Sequence, residues 1–184
     1  MDFTSFDIDG PLLIEPKVFG DARGYFMEAF KQEAFNEAVG EAVTFVQDNQ
    51  SLSTMAGTVR GLHYQSPPHA QGKLVRCLQG AIIDIAVDAR KDSPTFGQHV
   101  RAELSAENKA QLWVPAGFLH GFATLVPNTI VFYKVTDIYA PDCDGNVRFD
   151  DPALGLDWGI DPQVAVLSEK DQKAPLFKDW DSPF

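Results

Sequence analysis

Short apolar runs separated by turn residues dominate this sequence and restrict the folds that it can adopt. Glycine, proline, asparagine and aspartate cluster roughly every 8–15 residues, for example at Asp9-Gly10-Pro11, Ser66-Pro67-Pro68, Gln79-Gly80, Pro115-Ala116-Gly117 and Asp144-Gly145. The runs between them are rich in β-branched and aromatic residues, which predicts strands at Thr44–Gln47, Lys73–Leu78, Ala81–Asp88, Gln111–Val114 and Thr129–Val135. This spacing is typical of an all-β sandwich or barrel with mainly antiparallel strands.

Few segments have helical periodicity. The clearest is Lys31–Val39, whose apolar residues fall on one side of a helix. Shorter helical turns are expected at Ser105–Lys109, where Ser105 can cap the first turn, and at Ser168–Gln172. The helices are therefore expected to be short and to lie at the periphery of a barrel.

The strand predicted at Ala81–Asp88 has a consequence for two of its carboxylates. Side chains alternate between the faces of a strand, so Ile83 and Ile85 point to one side. Asp84 and Asp88 then point to the other side, which can present carboxylates. Asp84 is therefore a candidate to support a functional site from behind.

Chain length and composition favour one domain over residues 1–184, since roughly 100–200 residues per domain is usual. No stretch approaches the roughly 18 uninterrupted apolar residues of a membrane span. The first residues lack the basic and apolar regions of a secretory signal. Cys77 and Cys143 form neither a disulfide framework nor a metal-ligand pattern. We therefore expect a cytoplasmic protein that does not enter a membrane.

The distribution of charge is more informative than its total. A formal net charge of −11 argues against nucleic acid as a partner. No acidic residue lies between Asp48 and Asp84, or between Glu107 and Asp137. Apolar strands that avoid carboxylates would explain these gaps, as would a positive pocket for a small anionic ligand such as a phosphate ester. The basic residues and histidines in the gaps are Arg60, His63, His69, Lys73, Arg76, Lys109, His120 and Lys134.

The segment Arg60–Gln65 carries the greatest potential for chemistry. A regular strand would place Arg60 and His63 on opposite faces, unless a bulge at Gly61 turns them to the same side. Histidine is the side chain that takes and gives protons near neutral pH. A lone histidine in a strand is more often structural, but the nearby Arg60 and Lys73 favour a site.

A metal site is the first alternative for His63. Small barrels of the cupin type often hold a metal through a His-x-His pair with a later glutamate and histidine. Here the second ligand of the pair is missing, because His63 is followed by Tyr64 and Gln65. The other histidines, His69, His99 and His120, have no ligand spacing among themselves. We therefore expect chemistry without a metal.

Two later segments carry further candidates. Gly117 and Gly121 bracket His120, at a place where backbone and ligand can come close, although a hairpin with a structural histidine would have the same sequence. Tyr133 and Lys134 are adjacent on a predicted strand, so only one of them can point into the barrel. A buried tyrosine usually packs, and it serves as a general acid only when it lies across from a base.

Blocks of sequence distributed along nearly the whole chain carry a family resemblance. They are Gly20–Glu28, Val46–Ser51, Arg60–Gln65, Gln71–Arg76, Ser93–Gly97, Leu112–Phe122, Tyr133-Lys134, Tyr139-Ala140-Pro141 and Ser168–Asp171. In order and spacing they resemble the dTDP-4-dehydrorhamnose 3,5-epimerase family. The resemblance implies a cupin-type jelly-roll barrel with a few short peripheral helices, a homodimer, and no metal or other cofactor.

The reaction that the resemblance implies is an inversion of two carbons next to a ketone. The substrate would be dTDP-4-dehydro-6-deoxy-D-glucose and the product dTDP-4-dehydro-L-rhamnose, inverted at C3 and C5. Both carbons flank the C4 ketone, so removal of their protons gives an enolate. Inversion then needs a base on one face, an acid on the opposite face and stabilisation of the enolate oxygen.

The resemblance also implies roles for individual residues. His63 would be the base, oriented by Asp171, and Tyr133 the acid on the opposite face. Lys73 would place positive charge beside the C4 oxygen. The positions that would bind the substrate and its nucleotide are Arg23, Glu28, Gln47, Asp48, Asn49, Arg60, His120, Asp144 and Lys170.

Three alternatives remain open at this point. Relatives of the fold invert only C3 or only C5, or move the ketone, and they share most of these blocks. His63, Lys73 and Tyr133 together favour an epimerase over a ketoisomerase, but they do not fix the number of centres. A sugar-nucleotide-binding cupin without activity and a metal-dependent cupin enzyme are the other two.

Overall fold

The structure, a computed structural model, describes residues 1–184 and is built mainly from β-strands. The strands are β1 (Asp2–Ser5), β2 (Leu12–Glu15), β3 (Val18–Asp21), β4 (Gly24–Met27), β5 (Gln47–Ser53), β6 (Val59–Gln65), β7 (Lys73–Gln79), β8 (Ala81–Asp88), β9 (His99–Ser105), β10 (Gln111–Val114), β11 (Phe118–Thr124), β12 (Thr129–Val135) and β13 (Asp144–Asn146). The helices are α1 (Gln32–Val39), α2 (Glu169–Gln172) and 3₁₀ turns at Pro141–Cys143, Pro162–Val164 and Phe177–Asp179. No helix has the length and apolar character needed to span a membrane.

Two antiparallel sheets form the body of the molecule. One has the strand order β1-β2-β10-β7-β12-β5 and the other β13-β6-β11-β8-β9, while β3 and β4 form a separate hairpin. Buried residues of both sheets share one apolar cluster, with Val75 and Leu112 from the six-stranded sheet and Ile82, Ala86 and Leu104 from the five-stranded sheet. The sheets therefore enclose a core between them, and the prediction of a cupin-type jelly-roll barrel is confirmed.

The outer faces of both sheets are also covered. Helix α1 lies over the six-stranded sheet, where Phe35 is fully buried against Trp113 and Leu74. Residues 147–184 cover the five-stranded sheet and contribute Phe149 and Trp158 to a second large cluster. Since every exposed sheet face would leave apolar side chains in water, these two coverings explain why so many strand residues are buried on both sides.

A bulge in β6 sets the direction of the side chains that matter most below. His120 of β11 pairs with His63 of β6, whereas Phe122 pairs with Arg60, so β6 contains one extra residue between the two pairs. The extra residue lies at Gly61–Leu62, and it turns Arg60 and His63 to the same side. Of the two arrangements that the sequence left open, the bulge is the one that the chain adopts.

Gly61 makes this bulge sterically feasible. Its φ is +139°, a region that residues with a side chain rarely adopt, and a Cβ there would lie 2.5 Å from the Cα of Gly121 and 2.9 Å from the carbonyl oxygen of His120. Both neighbours are backbone atoms of the paired strand and cannot move aside. Gly61 and Gly121 thus allow the two strands to approach more closely than any larger pair would permit.

Three predictions of local structure differ from the observed one. The strand expected at Thr44–Gln47 begins only at Gln47 and continues as β5 through polar residues, which an apolar-run criterion overlooks. Residues 106–108 form a turn rather than a helix, although the Ser105 hydroxyl accepts the expected hydrogen bond from the Asn108 N–H at 3.0 Å. The carboxylate-bearing face of β8 is the barrel interior, since Asp84 lies fully buried on the same side as Ile82.

The close approach at Gly61 generates the first prediction. Gly61→Ala should lower the free energy of unfolding by about 2–4 kcal/mol, because it adds backbone strain and a collision with Gly121. Gly20→Ala is the matched control: the nearest atom to its Cβ would be 3.8 Å away, and the change should stay within about 0.5 kcal/mol. Urea denaturation at one fixed protein concentration measures both, and an equal effect of the two substitutions would contradict this account.

Candidate active site

A cavity of about 440 Å³ opens between the two sheets. Its walls come from β5, β6, β7, β11 and β12, and from residues 166–171 of the segment that covers the five-stranded sheet. Seven of its lining residues are ones that the family resemblance implies as catalytic or substrate-binding. They are Arg60, His63, Lys73, His120, Tyr133, Lys170 and Asp171.

A smaller cavity of about 230 Å³ adjoins the first and shares His63, Lys73 and Tyr133 with it. It adds Gln47, Asn49 and Asp144 from the predicted binding positions, together with Tyr139. We refer to the two cavities together as the cleft. Both sheets contribute to the walls of the cleft, and it brings together ten of the thirteen predicted site residues.

His63 and Asp171 form a hydrogen-bonded pair in the cleft. His63 Nε2 lies 2.5 Å from Asp171 Oδ1. The carboxylate is almost fully buried, whereas 31% of the His63 side chain is exposed. When Nε2–H donates to the carboxylate, Nδ1 is left with its lone pair and can accept a proton. The pair therefore has the arrangement of an oriented general base.

Helix α2 holds the Asp171 carboxylate in place. Ser168 caps this helix: its hydroxyl donates to Asp171 Oδ2 at 2.9 Å and accepts from the Asp171 backbone N–H at 3.1 Å. Burial by itself would raise the pKa of the Asp171 carboxyl, but the hydrogen bond from His63 and that from Ser168 outweigh it and lower the pKa. The carboxylate thus stays negative and can stabilise a protonated His63.

Tyr133 enters the cleft from the opposite sheet. It lies on β12, and its neighbour Lys134 points outward to an ion pair with Asp48 at 2.9 Å. The alternation expected for these two residues is thus observed, with Tyr133 on the inside. Burial raises the pKa of the Tyr133 hydroxyl, an effect that the positive charge of Arg60 partly offsets. Tyr133 therefore carries its proton at neutral pH and is able to donate it.

Lys73 projects into the cleft from β7 and forms no hydrogen bond or ion pair there. Burial lowers the pKa of its ammonium group to about 8, while the negative charges of Asp144 and Asp84 raise it and the positive charge of Lys170 lowers it. Lys73 is therefore cationic at neutral pH but close to the limit of its charged range. A partly buried cation without a partner is suited to stabilise negative charge that develops on a ligand.

Two further positive side chains of the cleft, those of Arg60 and Lys170, are held by contacts within the protein. Arg60 is anchored to β5 by Nε–H donating to Ser53 Oγ at 3.3 Å and by a second bond to the Leu52 carbonyl at 3.3 Å. Lys170 forms an ion pair with Asp144. Together with Lys73, these side chains favour an anionic ligand.

His120 belongs to a second histidine–carboxylate pair. Its Nε2 lies 2.8 Å from Asp84 Oδ1, and both residues are buried. The β6–β11 register places His120 directly across from His63. The two rings are therefore neighbours, and each has a buried carboxylate behind it.

Three predicted binding residues lie outside the cleft of this chain. Asp48 is on the outer face of the six-stranded sheet, because alternation along β5 separates it from Gln47 and Asn49. Arg23 and Glu28 are exposed at the β3–β4 hairpin, where the Arg23 guanidinium pairs with Asp21. Only some of the basic residues in the acid-free segments reach the cleft. Arg76, Lys109 and Lys134 do not line it.

The cleft also contains residues that reading the sequence did not select. Ser51 and Phe122 line the larger cavity, and the Ser51 hydroxyl is buried without a hydrogen-bond partner. Tyr139 lines the smaller cavity and donates to Asp144 Oδ2 at 3.1 Å. Ser51 lies two residues beyond Asn49 on β5 and so faces the same side of the sheet; alternation counted from Asn49 could have selected it.

No group of three or more histidine, cysteine, aspartate or glutamate side chains is arranged to hold a metal ion. The two histidines of the cleft each direct Nε2 to one carboxylate, and their cationic neighbours Lys73 and Arg60 are not metal ligands. The donor set of the cleft is thus that of an acid–base site for an anionic organic ligand.

Comparison with known proteins identifies the family. The sequence profile described as dTDP-4-dehydrorhamnose 3,5-epimerase matches residues 5–179. A dTDP-4-dehydrorhamnose 3,5-epimerase of Sinorhizobium fredii is 54% identical over 177 residues, which cover 95% of this chain and 89% of the relative.

Solved structures agree with the sequence relatives. A dTDP-6-deoxy-D-glucose-3,5-epimerase from Legionella pneumophila, in complex with dTDP-4-keto-L-rhamnose, superposes with a TM-score of 0.92 at 46% identity, covering 98% of this chain and 94% of that chain. A 3′-monoepimerase from Streptomyces bikiniensis, in complex with dTDP-quinovose, has a TM-score of 0.86 at 34% identity, covering 93% and 85%. The chain therefore belongs to the dTDP-4-dehydrorhamnose 3,5-epimerase family.

Proposed function

We propose that the cleft converts dTDP-4-dehydro-6-deoxy-D-glucose to dTDP-4-dehydro-L-rhamnose by inverting C3 and C5. The observation that carries this proposal is the placement of His63 and Tyr133 on opposite sheets of one cleft, with the Lys73 ammonium beside them. A base and an acid on two sides of the substrate are what inversion of a carbon requires. The positive charge between them suits the enolate that both inversions share.

Proton removal is assigned to His63. Its free Nδ1 takes the proton from the carbon next to the C4 ketone, and the electrons of the C–H bond pass to the ketone oxygen. The resulting imidazolium is stabilised by Asp171, whose pKa is held below its usual value. The pair thus lowers the energy of the charge separation that accompanies deprotonation.

Stabilisation of the enolate is assigned to Lys73. Negative charge develops on the C4 oxygen as the proton leaves, and a partly desolvated ammonium interacts with it more strongly than one in bulk water. Lys73 has no competing hydrogen-bond partner in the protein, so its donors are free to bind the ligand oxygen. The same group serves both inversions, because C3 and C5 flank the same ketone.

Reprotonation from the opposite face is assigned to Tyr133. Burial keeps its hydroxyl protonated, and its position on the six-stranded sheet faces the His63 side of the cleft. Delivery of a proton from this side gives the inverted centre. The phenolate that remains is stabilised by Arg60, whose charge opposes the effect of burial on the Tyr133 pKa.

Binding of the nucleotide is assigned to the charged and polar groups around the reacting centre. Arg60 and Lys170 supply charge for the diphosphate, since a guanidinium can bind phosphate oxygens through two hydrogen bonds. His120 adds a further polar contact from β11, and Gln47 and Asn49 supply amides at the smaller cavity. No nucleic acid, membrane or cofactor enters this proposal.

Solvent isotope exchange tests the reaction directly. In deuterated water, the enzyme should introduce deuterium at both C3 and C5 of the 4-keto sugar nucleotide, detectable by NMR and mass spectrometry. Label at a single carbon would instead identify a mono-epimerase, the activity of the Streptomyces bikiniensis structure. Binding without any exchange would identify a sugar-nucleotide-binding cupin, and dependence on added or bound metal would identify a metal enzyme.

Variants of the proposed base and acid make the isotope-exchange test more specific, because exchange and inversion should respond differently to each. His63→Ala should abolish exchange at both carbons, because no proton leaves without the base. Tyr133→Phe should reduce inversion far more than exchange, since His63 still removes and returns protons on its own face. Equal loss of exchange in the two variants would contradict these roles.

The pKa of Lys73 predicts a pH dependence of the rate. The charged form of lysine is the protonated one, so a pKa of about 8 means that the charge is present below this pH and is lost above it. Because this pKa belongs to the ligand-free enzyme, kcat/KM should fall about tenfold per pH unit beyond it. Lys73→Arg, although slower, keeps its charge and should lose this alkaline decline. A decline at the same pH in both proteins would assign it to another group.

We propose a homodimer in which the β3–β4 hairpin of one chain completes the cleft of the other. Tyr25 of the hairpin lies over the outer face of the six-stranded sheet, near Lys109 and Arg76, whereas the cleft opens on the inner face. Arg23 and Glu28 therefore reach a nucleotide only if a second copy presents them. The hairpin also exposes Phe19, Tyr25 and Phe26, with 70% of Phe26 accessible, which suits a surface that is covered by another chain.

Mixing two inactive variants tests the shared site. One variant carries Arg23→Ala with Glu28→Ala, and the other carries His63→Ala. In an equal mixture, half of the dimers are hybrids and one of their two sites is intact, so about a quarter of wild-type activity should return. Each variant alone serves as the control. A mixture without recovery, or a monomer in sedimentation, would refute the shared site.

The whole of residues 1–184 is proposed to act as one domain, since both core clusters and the cleft draw on distant parts of the chain. A cytoplasmic location is proposed, consistent with two free cysteines, Cys77 and Cys143.

A further inference from the structure

The barrel interior contains a carboxylate that the proposed chemistry does not use. Asp84 lies on β8 with none of its surface exposed, on the same face as the apolar Ile82 and Ala86. A buried carboxylate is costly unless other groups compensate its charge. Its position behind His120, which lines the cleft, therefore calls for a reason.

Only one of the two Asp84 oxygens has a hydrogen-bond partner. Oδ1 accepts from His120 Nε2 at 2.8 Å, whereas Oδ2 is buried and unpartnered. The positive group whose charge couples to Asp84 is Lys73, which itself has no partner in the protein. The carboxylate thus faces a histidine through one oxygen and interacts with a lysine at longer range.

The geometry of the histidine follows from this bond. With Nε2–H donating to Asp84, His120 presents Nδ1 as its remaining ring nitrogen, as His63 does with Nε2 on Asp171. The two rings are cross-strand neighbours in the β6–β11 pair. A change in the tautomer or rotation of one ring would therefore alter the environment of the other.

We propose that Asp84 is a positioning residue of the cleft, which fixes the tautomer and orientation of the His120 ring through Nε2 and places a buried carboxylate behind the side of the cleft that Lys73 enters. This inference rests on the proposed function, because His120 and Lys73 matter to the reaction only if the cleft carries it out as proposed. Asp84 touches neither the substrate nor the reacting atoms and acts through His120 and Lys73.

The charge balance around Lys73 supports this role. Burial lowers the pKa of Lys73, the charges of Asp144 and Asp84 raise it, and that of Lys170 lowers it. Asp144 is already engaged by Lys170 in an ion pair and by the Tyr139 hydroxyl. Asp84 has no lysine or arginine partner, and its one hydrogen bond is with His120. The other titratable or charged groups that face the cleft are Arg60, His63, Tyr64, His120, Tyr133, Tyr139 and Asp171.

Asp84→Asn tests the charge without changing the shape of the side chain. The alkaline decline of kcat/KM should move to lower pH, because the Lys73 ammonium loses a compensating negative charge. Asp88→Asn is the matched control: Asp88 lies on the same strand and is equally buried, but it pairs with Arg90, Ser93 and Thr95. This control should lose stability without moving the alkaline decline. An unmoved decline in Asp84→Asn, or an equal movement in both variants, would overturn the proposal.

The tautomer of His120 tests the second part of the role in the unmodified protein. The chain has four histidines, so ¹⁵N-histidine labelling and long-range ¹H–¹⁵N correlation spectra can resolve each ring. We expect the Nε2–H tautomer for the neutral His120 ring in the wild type and its partial loss in Asp84→Asn. An Nδ1–H tautomer in the wild type would overturn the proposal. Since this readout needs no turnover, it separates a failure of the Asp84 role from a failure of the proposed reaction, which the isotope exchange reports.

Discussion

The close approach of two backbones, at Gly61 in β6 and Gly121 in β11, is the constraint on which the cleft depends. It accommodates the extra residue in β6, and that residue turns Arg60 and His63 to one side of the sheet. It also places His120 beside His63. A regular strand would have directed either the base or the arginine into the apolar layer beneath the C-terminal segment. The chemistry of the cleft is therefore a consequence of a local irregularity in the ladder.

The cleft is also a place where the fold tolerates buried charge. Each histidine has a buried carboxylate behind it, and each carboxylate is held by strand or helix geometry rather than by a flexible loop. Lys73, by contrast, is partly buried without a partner, and its pKa is lowered to about 8. Groups with a perturbed pKa cluster at functional sites, because a group close to the limit of its charged range responds to charge that forms nearby.

The fold class and most of the site could be predicted from sequence, for different reasons. Apolar runs such as Ala81–Asp88 predicted the core strands, because burial on both faces selects apolar residues. Most of the edge strand β5 was not predicted, because nearly all of its residues are polar and its sequence resembles a loop. Arg60 and His63 could be selected by residue type, but their common direction depended on Gly61. The position of Arg23 could not be inferred, because it depends on where a hairpin folds back in space.

The segment that covers the five-stranded sheet has a consequence for the order in which the site is assembled. Asp171 is 108 residues beyond His63 in the chain, on the same segment that supplies Trp158 to the apolar cluster on that sheet. During synthesis, β6 and β11 are complete well before Asp171 has been made. The His63–Asp171 pair therefore cannot form until the C-terminal segment has been made and has docked on the five-stranded sheet. Completion of this pair thus reports that the two ends of the domain have come together.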